Sequence, residues 1–195
     1  MKVKTLLTAC AVLAILVGMT AASKSHGNQN QRSTSRSRLA AFELTDFEEL
    51  NILHMREEEK LARDVYLVMY ELWGADIFAN ISESEQNHMD AIKNLITRYG
   101  LTDPVSDDTV GVFTNPDFKE LYDGLIESGS ASLEEALKVG VSIEELDIAD
   151  LELALEETSQ RNIQRVFENL LEGSKNHLEA FTACLDGDCI CLPDA

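Results

Sequence analysis

The sequence predicts an all-α fold: a bundle of four long helices, built as two helical hairpins with a long crossover that carries a short extra helix. Three observations predict it. Four stretches place apolar residues at alternating steps of three and four, the spacing of one helix face. They are centred on Met55–Met69, Ile81–Leu95, Leu137–Leu151 and Ile163–Phe181. Each stripe is interrupted at mid-length by a carboxylate or an imidazole. No window alternates apolar and polar residues with β-branched enrichment, as a strand would require.

Capping signals order the elements. Thr45 with Glu48 reads as a capping box that opens the first helix, which runs to Trp73 and stops at Gly74. Asn80 with Glu83 is the expected cap of the second, which Gly100 ends. The stretch from Leu101 to Asn115 holds Pro104, Gly111 and three Asp residues, and reads as the crossing loop. Pro116 suits the first turn of a short helix, where its missing N–H costs nothing, and Ser128-Gly129-Ser130 closes it. Ser132 with Glu135 opens the third long helix; Gly140, followed by Ser142 and Glu145, predicts a kink or break within it. Thr158-Ser159 or Asn162 marks the turn into the last helix, which reaches about Cys184.

The flanks differ in composition. Residues 1–23 have a basic start, an apolar run from Thr5 to Met19 and small residues at Thr20-Ala21-Ala22-Ser23, the layout of a secretory signal peptide. The run falls short of the ~20 apolar residues of a spanning helix, although an uncleaved anchor is the alternative. Leu7-Thr8-Ala9-Cys10 resembles a lipoprotein cleavage box, but most of the apolar run follows Cys10. A secreted or periplasmic location is expected, without stable membrane insertion once the leader is removed. Residues 24–40, rich in Ser, Asn, Gln and Arg, read as a disordered basic linker. The bundle is expected over 41–185 and a cysteine-containing tail over 186–195.

All 35 acidic side chains follow Arg38, against 10 of the 16 Lys and Arg, a formal charge of about −25 on that part. Such a surface repels nucleic acid and attracts cations, although most of it is ordinary solvated helix face. Cys184, Cys189 and Cys191 suit a disulfide or free thiols better than a soft-metal site, which would need a fourth ligand. Asn80-Ile81-Ser82 is a glycosylation sequon as well as the expected cap. No Gly-rich phosphate loop, Gly-x-Ser-x-Gly elbow or His-Glu-x-x-His motif occurs, which argues against a nucleotide enzyme, a serine hydrolase and a zinc protease.

The interrupting residues carry the chemistry. Glu85 and His88, three apart, share one helix face flanked by Ile81, Ile92 and Leu95. Glu144 is the polar residue at the centre of the third stripe; Glu145 points away, and Asp147 lies near the edge of the same face. On the first helix the helical wheel puts Glu58 nearer the centre of the apolar arc and Glu59 nearer its edge, so both are candidates; Glu57 falls on the polar side, and His54 reads as a partly buried helix-face histidine. His177 lies within the apolar face of the last helix, with Ser174 one turn before it. Burying such groups is costly unless they are paired, and a metal ion is the simplest common partner for all four helices.

From Leu44 to Cys184 the chain resembles the ferritin-like superfamily, its rubrerythrin-related members, and more narrowly a bacterial-type branch known as a domain of unknown function. The resemblance rests on Glu59-x-x-Ala62 with Tyr66, Glu85-x-x-His88, Glu144 and His177. It favours Glu59 over Glu58, and implies metal ligation by Glu59, Glu85, His88, Glu144 and His177. The superfamily plan has a Glu from each of two helices and Glu-x-x-His from the other two. Five of those six positions match, and Ser174 stands at the sixth. Two metals then need water, Asp147 or Glu58 to fill the gap; otherwise the site holds one. The donor set suits iron, two per chain, or manganese, and accepts zinc. The resemblance implies an oxidoreductase acting on oxygen, peroxide or ferrous iron, with an external electron donor because no four-cysteine iron–sulfur domain is present. Tyr66 and Tyr99 are expected near the site, mainly as packing. The alternatives are a non-catalytic metal-binding bundle, which Ser174 favours, and a metal-free interaction module. The oligomeric state is not legible.

Overall fold

A computed structural model describes residues 43–188. The expected signal peptide, the expected linker and most of the cysteine-containing tail lie outside the described residues. Five α-helices follow one another: α1 (Asp46–Trp73), α2 (Asp76–Tyr99), α3 (Pro116–Gly129), α4 (Leu133–Glu157) and α5 (Arg161–Leu185). Among the described residues there is no strand, and no helix is long and apolar enough to cross a membrane.

The first helix starts and stops where its sequence demands. Glu48 N–H donates to Thr45 Oγ1 at 3.1 Å, and Thr45 N–H donates to Glu48 Oε2 at 2.9 Å, a complete capping box. Gly74 ends the helix in the left-handed region at φ 64°. The second helix departs from expectation: it begins at Asp76 without a side-chain cap, and Asn80 sits inside it on the exposed surface. A two-residue link, Gly74-Ala75, turns the chain so tightly that α2 begins before the predicted cap is reached. Only one half of the expected Ser132–Glu135 box forms, with Glu135 N–H donating to Ser132 Oγ at 3.1 Å.

Gly140 does not break α4, which is continuous through it. The residue is glycine because of its neighbour: an added Cβ would stand 2.7 Å from three ring carbons of the fully buried Phe181. Gly140→Ala should therefore lower stability by about 1–3 kcal/mol of overpacking, less up to about 1 kcal/mol of helix propensity. A thermal melt checks this; a raised melting temperature would show that Phe181 yields freely.

The long helices pack most extensively as α1 on α2 and α4 on α5, and these pairs meet through α1 with α4 and α2 with α5; α3 lies on α1 and α4. Two apolar layers result. One contains Leu61, Val65, Met69, Phe78, Leu137 and Phe181. The other contains Ile52, Met55, Ile92, Leu151, Phe167 and Leu170. Each long helix passes from one layer to the other, and the interrupting Glu and His residues fall between. The order of crossing shows that α1 and α5 run one way and α2 and α4 the other.

The crossover, residues 101–115, is held by side chains of α1. Glu57 Oε1 accepts from Thr114 N–H at 2.6 Å and Asn115 N–H at 3.1 Å, and Asp64 Oδ2 accepts from Gly111 N–H at 2.9 Å. Lys60 donates to Thr109 O at 2.9 Å and pairs with Asp64, while Arg63 and Arg56 bond Asp108 and Asp103. Glu57 lies on the polar side of the helix as expected, but that side is not open: Glu57 is 5% exposed, because the crossover covers the face. A loop of this length would otherwise bury unsatisfied backbone groups.

Candidate metal centre

The five predicted ligands come together between the apolar layers. Glu59 arrives from α1, Glu85 and His88 from α2, Glu144 from α4 and His177 from α5. Ligand atoms of Glu59, Glu85 and His88 lie within 4.8 Å of one another, and so do those of Glu85, Glu144 and His177. Glu85 belongs to both sets. Its Oε2 is 2.8 Å from His88 Nδ1 and its Oε1 is 2.9 Å from His177 Nδ1. Glu59 Oε2 lies 3.1 Å from His88 Nδ1, and Glu144 Oε2 lies 3.5 Å from His177 Nδ1. The two imidazoles stack at 5.6 Å between centroids.

Several of these atoms converge without hydrogen-bonding one another. Glu59 Oε1 and Asp147 Oδ1 are buried and have no hydrogen-bond partner, and Glu85 Oε1 and His177 Nδ1, though 2.9 Å apart, meet as an ion-pair contact outside hydrogen-bond geometry. Native interiors rarely leave such atoms unpaired unless water or an ion serves them. The donor set of carboxylate oxygens and imidazole nitrogens fits iron or manganese and accepts zinc.

The surroundings aim the ligands. Ser84 Oγ lies 2.9 Å from His177 Nε2, turning Nδ1 inward. Tyr66 donates to Glu144 Oε1 at 2.6 Å, so it is part of the site rather than packing alone. Its ring also packs against Phe181 in a tilted arrangement at 5.2 Å, forming a wall of the apolar layer. Tyr99 is elsewhere: its hydroxyl bonds Gln160 and Asn162 near the start of α5. The expectation of Tyr99 at the site is corrected; it lies at the far end of α2, about three turns beyond His88. Gly173 lets His88 approach α5, since an added Cβ would meet His88 Nε2 at 2.6 Å. Gly173→Ala should push the ring aside and lower metal content relative to wild type, measurable by elemental analysis; unchanged content would show that the ring relaxes in place.

Ser174, at the departure from the six-ligand plan, is fully buried and donates to Leu170 O at 2.9 Å and to Asp147 Oδ2. Asp147 is 5% exposed, and the charges of Glu59, Glu58 and Glu144 act on it. A carboxylate from α4 thus stands against the position where α5 lacks one.

The ionisation of the cluster follows from burial and crowding. Burial and the neighbouring carboxylates push Asp147 well above the usual carboxylate range. Burial raises Glu59 to about 8 and Glu144 to about 7, despite the imidazoles beside them. Burial would raise Glu85 too, but the two imidazoles outweigh it and hold it at about 2. Burial would lower His88 and His177, yet the carboxylates against them raise His88 to about 11 and His177 to about 9. With no cation present, protons hold the cluster together.

Glu58 and Glu59 separate. Glu58 turns to the other side, its Oε2 3.4 Å from His54 Nε2, and His54 Nε2 lies 3.3 Å from Asp150 Oδ2. This second grouping was not foreseen from sequence, although Asp150 stands one turn beyond Asp147 on the same face of α4. Cys184 is disulfide-bonded; the remaining cysteines lie outside the described residues.

The chain is 52% identical over 143 residues to the uncharacterized protein MJ0754 of Methanocaldococcus jannaschii, covering 73% of this chain and 77% of that one. The crystal structure of that hypothetical protein, from Methanococcus jannaschii DSM 2661, matches with a TM-score of 0.74 over 74% of this chain and 83% of the other. The model of the family described as an uncharacterized protein domain, DUF2202, matches residues 48–191. The chain therefore belongs to the DUF2202 family.

Proposed function

We propose that this protein is a ferritin-like metal-binding oxidoreductase whose buried centre holds two divalent ions, iron or manganese. One observation carries the reading: Glu85 directs its two oxygens to two different imidazoles, joining two donor sets around a single carboxylate. The charge count supports two ions. Glu59, Glu85, Glu144 and Asp147 supply four negative charges, which two divalent cations balance with both imidazoles neutral. In this reading Asp147 takes the place of the carboxylate that Ser174 lacks, and Ser174 orients it. That takes weight from the non-catalytic alternative, which drew on a missing sixth ligand.

Two iron ions held there supply reversible one-electron steps, suited to oxygen, peroxide or ferrous iron. Around them the chain's own residues have defined tasks. The Tyr66 hydroxyl donates to Glu144 Oε1 and keeps that carboxylate turned inward. Ser84 fixes the His177 ring. The two apolar layers exclude water from above and below. Reduction to complete a cycle needs an external electron donor. The leader pattern and the Cys184 disulfide support an extracytoplasmic location, where thiols oxidise.

Stopped-flow mixing of anaerobically ferrous-loaded protein with oxygen or peroxide tests the proposal. A new ferric absorbance that Glu85→Gln abolishes is expected; no absorbance change would leave a binding protein only. Binding should also expel protons, because His88 and His177 are protonated at pH 7 in the metal-free protein. Between pH 6 and 8 apparent affinity should therefore rise by about tenfold per pH unit for each proton displaced. Titration calorimetry in buffers of different ionisation enthalpy measures this; proton-neutral binding would contradict imidazole ligation.

A further inference from the structure

A second cluster lies where α1 meets α4, on the solvent side of the buried centre. His54 and Glu58 are one turn apart on α1, and Asp150 faces them from α4. One ligand atom from each of the three lies within 4.8 Å of the others. The cluster grades from open to closed: the side chains are 39% exposed at His54, 26% at Asp150 and 2% at Glu58. Glu58 is the unusual member. Both of its oxygens are buried and neither has a hydrogen-bond partner, although Oε2 points at His54. A carboxylate at such depth is expensive unless something neutralises it. Phe118 closes one side, its ring 5.1 Å from that of His54.

We propose that His54, Glu58 and Asp150 bind one divalent cation in a separate site at the rim of the bundle, with Glu58 as its inner ligand. Two carboxylates and a neutral imidazole balance one divalent charge, and the N and O donors suit manganese, ferrous iron or zinc. The position is specific. Asp147 and Asp150 are one turn apart on α4, and the charge of Glu58 acts on Asp147. The rim site therefore adjoins the buried centre through Glu58 and Asp147, and a cation bound there waits beside the carboxylates that would receive it. None of its three ligands belongs to the buried set, so the two sites fail independently.

Counting bound Mn(II) by the electron paramagnetic resonance of the free ion tests it on the full chain. In Glu85→Gln/His88→Gln protein, whose buried centre is disabled, one Mn(II) per chain should remain. Adding His54→Ala or Asp150→Asn should weaken that ion at least about tenfold, since even a supporting partner of a ligand is worth that much. In the otherwise native chain, His54→Ala/Asp150→Asn should remove one ion and leave the rest. No Mn(II) in the first variant, or an unchanged count and affinity in the second, overturns the proposal. Should the first variant not fold, anomalous scattering from Mn(II)-soaked native crystals decides: a peak at coordination distance from His54 Nε2 and Asp150 supports the site, and none there sinks it. A native protein whose single ion vanishes with His54→Ala/Asp150→Asn would keep the rim site and reject the buried one.

Discussion

Glu85→Ala should empty the buried centre, whereas Glu145→Ala should leave its metal content unchanged. Glu85 is the carboxylate that both donor sets share. Removing it takes one ligand from each set and leaves His88 and His177 facing each other without the anion between them. Glu59 and Glu144 then lose the imidazole order that holds them in place. Loss of one outer-lying partner already costs about 10–100-fold in metal affinity, so loss of a shared ligand should exceed a hundredfold. Glu145 is one residue from Glu144 but exposed, turned more than a quarter of the way round α4 from the face that carries the site. Elemental analysis of both variants, purified without chelator, makes the comparison. Equal metal content in the two would remove Glu85 from the site.

Stripping the metal should lower the melting temperature by roughly 8–16 °C. A ligand present at 1,000 times its dissociation constant stabilises the native state by about 4 kcal/mol. A chain of this size shifts by about 2–4 °C per kcal/mol. The fall is bounded because protons partly replace the cations: His88 and His177 charge, and Glu85 stays ionised between them. The metal-free protein should thus remain folded and melt cooperatively. Differential scanning calorimetry before and after chelation, with metal removal verified, gives the result. An unchanged melt would mean that carboxylates and imidazoles satisfy one another.

The helical class and the ends of α1 were legible because their signals are local. Thr45, Glu48 and Gly74 act within one turn, and apolar periodicity reports directly on which face is buried. The convergence of Glu59, Glu85, His88, Glu144 and His177 was legible for a related reason: each interrupts an otherwise apolar stripe, and polar groups at such positions need a partner. The family resemblance favoured Glu59, whereas periodicity put Glu58 nearer the centre of the apolar arc; both are equally buried, and they turn to different clusters. What escaped sequence reading depends on contacts between distant segments. Gly140 reads as a helix breaker in isolation, but its hydrogen stands against Phe181, forty residues away. Glu57 reads as solvated because the strap that covers it is a crossover with no periodic signal. Asn80 lost to tertiary geometry, since a two-residue link starts α2 before it. The rim cluster was missed because His54 and Asp150 are half-open, and half-open polar residues do not disturb an apolar pattern.

Glu48 does more than start a helix. While its Oε2 closes the capping box, its Oε1 accepts from Thr158 Oγ1 at 2.9 Å and Ser159 N–H at 3.1 Å in the turn between α4 and α5. Burial works against its charge, but these hydrogen bonds prevail and hold its pKa below the ordinary value. The contribution is complete above the unfolded carboxylate's pKa and fades as acid protonates the folded group. One latch therefore fastens the beginning of the first hairpin to the bend of the second. Acid strong enough to protonate Glu48, below the ordinary carboxylate range, should unfasten both at once, so that amides near Glu49 and Gln164 open to deuterium as a single unit.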